Sequence, residues 1–70
     1  MSLLNTFTSR LANHAAEIGP STYAELTASI ATGAYGGEFA REVFYATLSA
    51  GLIVRDGTTP DGCHYLFRAA

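Results

Sequence analysis

The chain has 70 residues, of which 49% are apolar and only 14% are charged. This length suits one domain spanning residues 1–70, close to the smallest size at which a hydrophobic core can offset the entropy of folding. The apolar fraction excludes a disordered chain. Lysine is absent, and four arginines face six acidic residues, for a formal charge of −2. With so few cations, the chain can offer only a weakly positive surface to phosphates. The low charge instead favours apolar surface that a partner or a second copy covers.

Cysteine content and hydropathy indicate the compartment. Cys63 is the single cysteine, which excludes an intrachain disulfide and a cysteine zinc cage and indicates a reducing, cytoplasmic environment. No apolar run reaches the length of a transmembrane helix. The initiator Met1 and the short tail after the last predicted strand lead us to expect a complete small protein.

Apolar spacing predicts a first amphipathic helix over residues 4–18. Apolar side chains recur there at intervals of three and four, which places them on one helix face. These residues are Leu4, Phe7, Leu11, Ala15 and Ile18. Gly19 and Pro20 end this helix, because glycine suits the left-handed residue that follows a helix and proline cannot continue one.

A capping box predicts the start of a second helix. Thr22 can accept a hydrogen bond from the third helical amide while Glu25 reaches back to the threonine. This helix is predicted from Tyr23 to about Thr32, with Leu26 and Ile30 towards the core. A glycine-rich turn at residues 33–37 then separates it from the third helix.

The third helix is predicted from about Glu38 to Ala50, with Gly51 as the glycine after its C-terminus. Its predicted core side carries Ala40, Phe44, Thr47 and Leu48, with Val43 flanking. Its predicted outward side carries Glu38, Arg41, Glu42, Tyr45 and Ser49.

Two short β-branched or aromatic runs follow, at residues 52–55 and 63–68. They surround a run of turn-forming residues at 56–62, which predicts a β-hairpin. Alternation places Cys63, Tyr65 and Phe67 on one face and His64, Leu66 and Arg68 on the other, wetter face. The chain is therefore predicted to be α+β and mostly helical.

The stretches Leu48–Arg55 and Thr22–Leu26 carry a resemblance to the winged helix-turn-helix superfamily. The first is similar to the step by which such domains leave their third helix and enter the wing, and the second to the start of their second helix. The resemblance implies three helices and a C-terminal two-stranded β-hairpin wing. In members that bind DNA, the third helix enters the major groove and the wing contacts the backbone or minor groove. By position, the implied contact residues are Glu38, Arg41, Glu42, Tyr45 and Ser49, with Arg55, His64 and Arg68 near the wing.

Residues that could support catalysis or metal binding are better explained otherwise. His14 lacks a second ligand one helical turn away, and His64 and Cys63 are strand neighbours on opposite faces. Cys63 is expected to be a small core residue. Asp56 and Asp61 each precede a glycine, as favoured turn dipeptides do. The sequence therefore predicts no enzymatic activity, no cofactor and no metal site.

Tyrosines and charge together favour a protein partner. Tyr23 and Tyr65 are expected to lie partly in the core, with their hydroxyls at its edge. Tyr35 and Tyr45 have no evident core role, and exposed tyrosine beside arginine is typical of protein interfaces. Glu38 and Glu42, one turn apart on the outward side of the third helix, disfavour phosphate contact.

We therefore predict a protein-binding regulator or inhibitor, similar to the small ones that phages and mobile elements carry, and expect a homodimer. One alternative is a dimeric, sequence-specific regulator that binds double-stranded DNA. A second alternative is a detached dimerisation domain, similar to the winged helix that precedes the catalytic part of some methyltransferases.

Overall fold

The computed structural model describes residues 3–30 and 36–70. The helices and strands of this part are α1 (Leu3–Ile18), β1 (Ser21–Thr22), α2 (Tyr23–Thr27), α3 (Gly37–Ser49), β2 (Ile53–Thr58) and β3 (Tyr65–Ala69). The strands form one antiparallel sheet in the order β1-β3-β2. The predicted α+β class is confirmed. Most of the predicted glycine turn, including Tyr35, lies outside the described residues.

Helix α1 matches its prediction over nearly its whole length. Phe7, Leu11 and Ala15 are buried, as the spacing of three and four requires. Gly19 ends the helix with a φ of +76°, a left-handed conformation that strains other residues. Ile18 was predicted to face the core, but in the last turn it is 45% exposed.

Helix α2 begins at the predicted capping box and ends earlier than predicted. The Thr22 hydroxyl accepts from the Glu25 amide at 3.3 Å, and the Glu25 carboxylate accepts from the Thr22 amide at 3.1 Å. The helix stops at Thr27 instead of Thr32. The Thr27 hydroxyl donates a hydrogen bond to the Tyr23 carbonyl at 2.8 Å. Hydroxyl side chains of this kind offer the backbone an alternative to the helical ladder. Ile30 is nevertheless buried, as predicted.

Loss of the cap should destabilise the domain modestly. We expect Thr22→Ala to lower the free energy of unfolding by about 1 kcal/mol, because an amide at the start of α2 loses its acceptor. Urea denaturation followed by circular dichroism measures this, with Thr22→Ser as the matched control that keeps the hydroxyl. Wild-type stability of Thr22→Ala would contradict a capping role.

The same cap predicts an acid dependence with a definite sign. The hydrogen bonds from the Thr22 amide and hydroxyl lower the pKa of Glu25 from its ordinary value of 4.5. A depressed carboxyl pKa stabilises the fold above the unfolded value, and this contribution is lost as the pH falls through the folded pKa. Thr22→Ala loses the hydroxyl donor but keeps the amide donor, so only the hydroxyl's part of this contribution is missing in the variant. The stability difference between wild type and Thr22→Ala, measured by urea denaturation at several pH values, should therefore shrink in part below about pH 4.5.

Helix α3 begins at Gly37, one residue before the predicted start, and its buried side is turned towards Val43 relative to the prediction. Val43, predicted only to flank the core, is fully buried, whereas Leu48 is half-buried. The Thr47 hydroxyl is buried and donates to the Val43 carbonyl at 2.6 Å, which satisfies it. Gly51 follows the helix with a φ of +75°, as predicted.

The sheet has three strands, and the prediction of a two-stranded hairpin alone was wrong. Ser21 pairs with Phe67 and Thr22 with Leu66, which adds β1 to the hairpin. A two-residue strand is too short to show a periodic pattern, and its pairing with a distant segment leaves no local signal.

The hairpin itself is longer than predicted. Strand β2 continues to Thr58, with a register shift between Arg55 and Thr58 that includes Gly57 at a φ of +87°. The Asp-Gly pair at 56–57 therefore lies in a bulged strand and not in the turn. A glycine with a positive φ is common in such bulges. The turn lies at residues 59–64, closed by the Thr59 amide donating to the His64 carbonyl at 2.9 Å.

One core lies between the helices and the inner face of the sheet. Its buried apolar residues are Phe7, Leu11, Ala15, Leu26, Ile30, Ala40, Val43, Phe44, Ile53 and Phe67. Tyr65 and Cys63, predicted on the core face, are exposed. On that face of β3, burial stops at Phe67, and the turn end of the hairpin extends past the core.

Candidate functional site: an aromatic groove

A groove opens where α2, α3 and the hairpin meet. We call it the aromatic groove; it encloses about 410 Å³, within the range of roughly 300–1,000 Å³ typical of ligand sites. Its lining residues are Thr22, Tyr23, Ala24, Phe44, Tyr45, Leu48, Cys63, His64, Tyr65 and Phe67. None of them is acidic, and five have aromatic rings of Phe or Tyr. The lining is therefore apolar and open to solvent.

Edge-to-face packing fixes the aromatic rings of the groove. The Phe44 ring is central, with its centroid 4.7 Å from that of Tyr23, 5.5 Å from Tyr45 and 4.9 Å from Phe67. These separations fall in the favourable range for aromatic pairs. Phe44 and Phe67 are buried, so they form the floor, while the tyrosines project from the walls. A preformed apolar surface of this kind loses little side-chain entropy when a ligand binds.

Two groove tyrosines carry an arginine on the ring. The Arg41 guanidinium carbon lies 5.8 Å from the centroid of the Tyr45 ring, and that of Arg55 lies 4.7 Å from the Tyr65 ring. Both distances allow cation–π attraction. One pair belongs to α3 and the other to the sheet. Neither arginine lines the groove itself, and Arg41 lies beside Glu38 and Glu42 in a neighbouring depression.

The exposed side of α3 continues from the groove. Glu38, Arg41, Glu42 and Tyr45 are all exposed there, as the helical periodicity predicts, and together line a shallow depression. Tyr45 lines both this depression and the aromatic groove, so its ring stands between them. Exposed Tyr45 thus connects two concave surfaces.

The structure brings some of the other predicted contact residues together and separates one. His64 lines the groove, and Arg55 reaches its border through Tyr65. Arg68 does not join them, since β3 alternates and its neighbour Phe67 points into the core. Its guanidinium instead lies 3.6 Å from the Asp56 carboxylate, on the outer face of the hairpin.

Asp61 acts in the hairpin turn. Its carboxylate accepts hydrogen bonds from the Thr59 hydroxyl and, at 3.0 Å, from the Cys63 amide. The bond from Thr59, followed by that from Cys63, lowers the pKa of Asp61. This is the turn role predicted from the sequence, and it holds the backbone from which Cys63 and His64 reach the groove.

Tyr23 and Tyr65 line the groove but were not predicted to be contact residues, because both were expected to lie partly in the core. Tyr23 is 37% and Tyr65 is 55% exposed. The position of Tyr23 directly after the helix cap was an available signal, because side chains in a first turn often lie at the edge of a core. For Tyr65 the local pattern alone was misleading.

Among residues 3–30 and 36–70, no group of three or more His, Cys, Asp and Glu side chains could hold a metal ion. None of the helices described there combines the length and apolarity needed to cross a membrane. No family model, curated protein or solved structure matches the chain.

Proposed function

We propose that this chain is a winged-helix domain that acts by binding a segment of another protein, and not by catalysis. The observation that carries the proposal is the aromatic groove, an apolar concave surface whose walls bear the exposed tyrosines Tyr23, Tyr45 and Tyr65. Tyrosine and arginine are enriched among the residues that dominate binding energy at protein interfaces. Helix α3 and the hairpin are also the elements that winged helices use for contact.

Electrostatics favours this function over DNA binding. Glu38 and Glu42 lie beside Arg41 on the exposed side of α3, where a recognition helix would meet the phosphates. Each carboxylate opposes the neutralisation on which DNA affinity depends. At the hairpin, the Arg68 guanidinium is already paired with Asp56.

A DNA-binding regulator remains the second candidate because α3 presents a continuous exposed face. Arg41 and Tyr45 lie one turn apart on that face, and α3 has 13 residues, about the length that fits a major groove. A dimer would double the arginines available to phosphates. Neutralising Glu38 and Glu42 tests this second candidate directly.

Removing the α3 carboxylates should leave DNA binding negligible. At near-physiological salt we expect neither wild type nor Glu38→Gln/Glu42→Gln to bind random duplex DNA, measured by fluorescence anisotropy. If α3 contacted phosphates, the double variant would bind duplex DNA more tightly, with a steeper salt dependence. Glu17→Gln, on α1, removes one negative charge away from α3 and is the net-charge control for each of the single variants Glu38→Gln and Glu42→Gln.

A protein ligand is sought independently by displaying a random peptide library against the immobilised full chain. Peptides that bind wild type but not Tyr45→Ala support the proposed function. Duplex binding by wild type that tightens in the double glutamine variant, with no peptide selected, would replace it with DNA binding.

A further inference from the structure

We infer that a second cleft, away from the aromatic groove, binds a small organic carboxylate of about the size of benzoate. This cleft, which we call the α1 cleft, encloses about 150 Å³ and shares no lining residue with the aromatic groove. Its lining residues are Phe7, Arg10, His14, Ser29 and Ile30. The inference does not depend on the proposed function, because it concerns a different surface and a different class of ligand.

Helix α1 supplies most of the α1 cleft. Phe7, Arg10 and His14 follow one another at intervals of three and four residues, so their side chains share one face of the helix. Ser29 and Ile30, which follow α2, complete the lining. Phe7 and Ile30 are buried, whereas Arg10 is exposed and His14 is half-buried. The cleft therefore has an apolar floor and a rim of N–H donors.

The N–H donors of Arg10 and His14 have no competing carboxylate beside them. None of the lining residues is acidic. In the part of the chain that the structure describes, the ion pair within 4.0 Å joins Arg68 to Asp56, and no carboxylate comes that close to Arg10 or His14. Glu17, one turn beyond His14, is exposed and does not line the cleft. Because an imidazole has at least one N–H in either protonation state, both residues can donate to an anion.

Stacking holds the Arg10 side chain in place for binding. Its guanidinium carbon lies 5.0 Å from the centroid of the Phe7 ring, a distance that allows cation–π attraction. A stacked guanidinium keeps its N–H groups in the plane of the fork, where a carboxylate can accept two parallel hydrogen bonds. The stacking also restricts the side chain, which lowers the entropy lost on binding.

The size and polarity of the α1 cleft indicate a carboxylate with a small apolar body. An apolar cavity of about 150 Å³ holds one benzene ring, and the cleft has this volume. The Ser29 hydroxyl already donates to the Leu26 carbonyl at 3.0 Å, so the donors for an anion come from α1. A phosphate would leave the apolar floor without a partner and carries about two negative charges, more than one guanidinium offsets. A benzoate-like acid uses both the donors and the floor.

The test titrates four compounds into the isotope-labelled full chain at constant ionic strength, followed by NMR: benzoate, benzamide, acetate and inorganic phosphate. Benzamide keeps the ring and removes the charge, whereas acetate keeps the charge and removes the ring. We expect benzoate to shift the side-chain N–H of Arg10 and the amide of His14, with a Kd on the order of millimolar. It should bind at least about threefold more tightly than each of the other compounds.

Variants identify the donor responsible. Arg10→Gln should weaken benzoate about threefold to tenfold, as a partly exposed charge-assisted contact does, and leave benzamide unchanged. Arg10→Lys keeps the charge without the fork and should fall between Arg10→Gln and wild type. Arg68→Gln is the matched control, because it changes the net charge equally on the outer face of the hairpin. It should bind benzoate like wild type. Circular dichroism checks that each variant is folded.

The remaining outcomes overturn the inference in distinguishable ways. Equal binding of benzamide overturns the recognition of a carboxylate. Binding of acetate or phosphate at Arg10 as tight as that of benzoate overturns the apolar body. Shifts confined to the aromatic groove, or no saturable shift, overturn the α1 cleft as the site. A loss in Arg68→Gln equal to that in Arg10→Gln reduces the effect to net charge and also overturns it. None of these outcomes bears on peptide binding at the aromatic groove.

Discussion

Phe44→Ala is expected to lower the free energy of unfolding by about 3–5 kcal/mol, the largest effect of any substitution considered for this domain. Phe44 is 2% exposed and packs edge-to-face with three other rings. The truncation removes its transfer free energy and leaves a cavity that α3 and β3 cannot readily close. Because a small domain has only about 5–15 kcal/mol of stability in total, this loss is a large share of it and can unfold the domain.

Chemical denaturation followed by circular dichroism measures this loss, with thermal melting as a second readout. Leu48→Ala is expected to lose less, because Leu48 is half-buried at the groove. Ser49→Ala, exposed on the same helix, should stay within about 0.5 kcal/mol of wild type. A wild-type melting curve for Phe44→Ala would mean that α3 presents a different side to the core.

Tyr45→Ala is expected to weaken the binding of a selected peptide by about 2 kcal/mol or more, roughly thirtyfold in Kd. Tyr45 is 51% exposed, stands between the aromatic groove and the shallow depression, and carries Arg41 on its ring. Its removal therefore takes away an aromatic wall and the support of a cation at the same time. Its effect on stability should be small, because half of the residue already contacts solvent.

Titration of the selected peptide into Tyr45→Ala and Tyr45→Phe separates the ring from the hydroxyl. Tyr45→Phe keeps the ring and should retain most of the affinity, whereas a loss equal to that of Tyr45→Ala would place the binding energy in the hydroxyl. Undiminished affinity of Tyr45→Ala, for a peptide chosen without counter-selection, would move the interface away from the groove.

The amino-acid sequence by itself determined the elements whose signals are local. The helix spacing of Phe7, Leu11 and Ala15 predicted a buried stripe, and the Thr22–Glu25 pair predicted the cap, because both depend on residues within one or two turns. The exposed side of α3 followed from the same periodicity. Composition likewise disfavoured a phosphate-binding surface, because charge content does not depend on the fold.

Tertiary structure alone decided how distant segments meet. Strand β1 exists because Ser21 and Thr22 pair with β3, which lies more than forty residues later in the chain. No local pattern in the sequence indicates this pairing. The aromatic groove arises in the same way, since Tyr23, Tyr45 and Tyr65 come from α2, α3 and β3, which the β1–β3 pairing and the packing around Phe44 bring together. Tyr65 shares its strand face with buried Phe67 yet is exposed, because the hairpin extends past the helices that would cover it. Alternation predicts which face a side chain takes, and only the packed neighbours determine whether that face is covered.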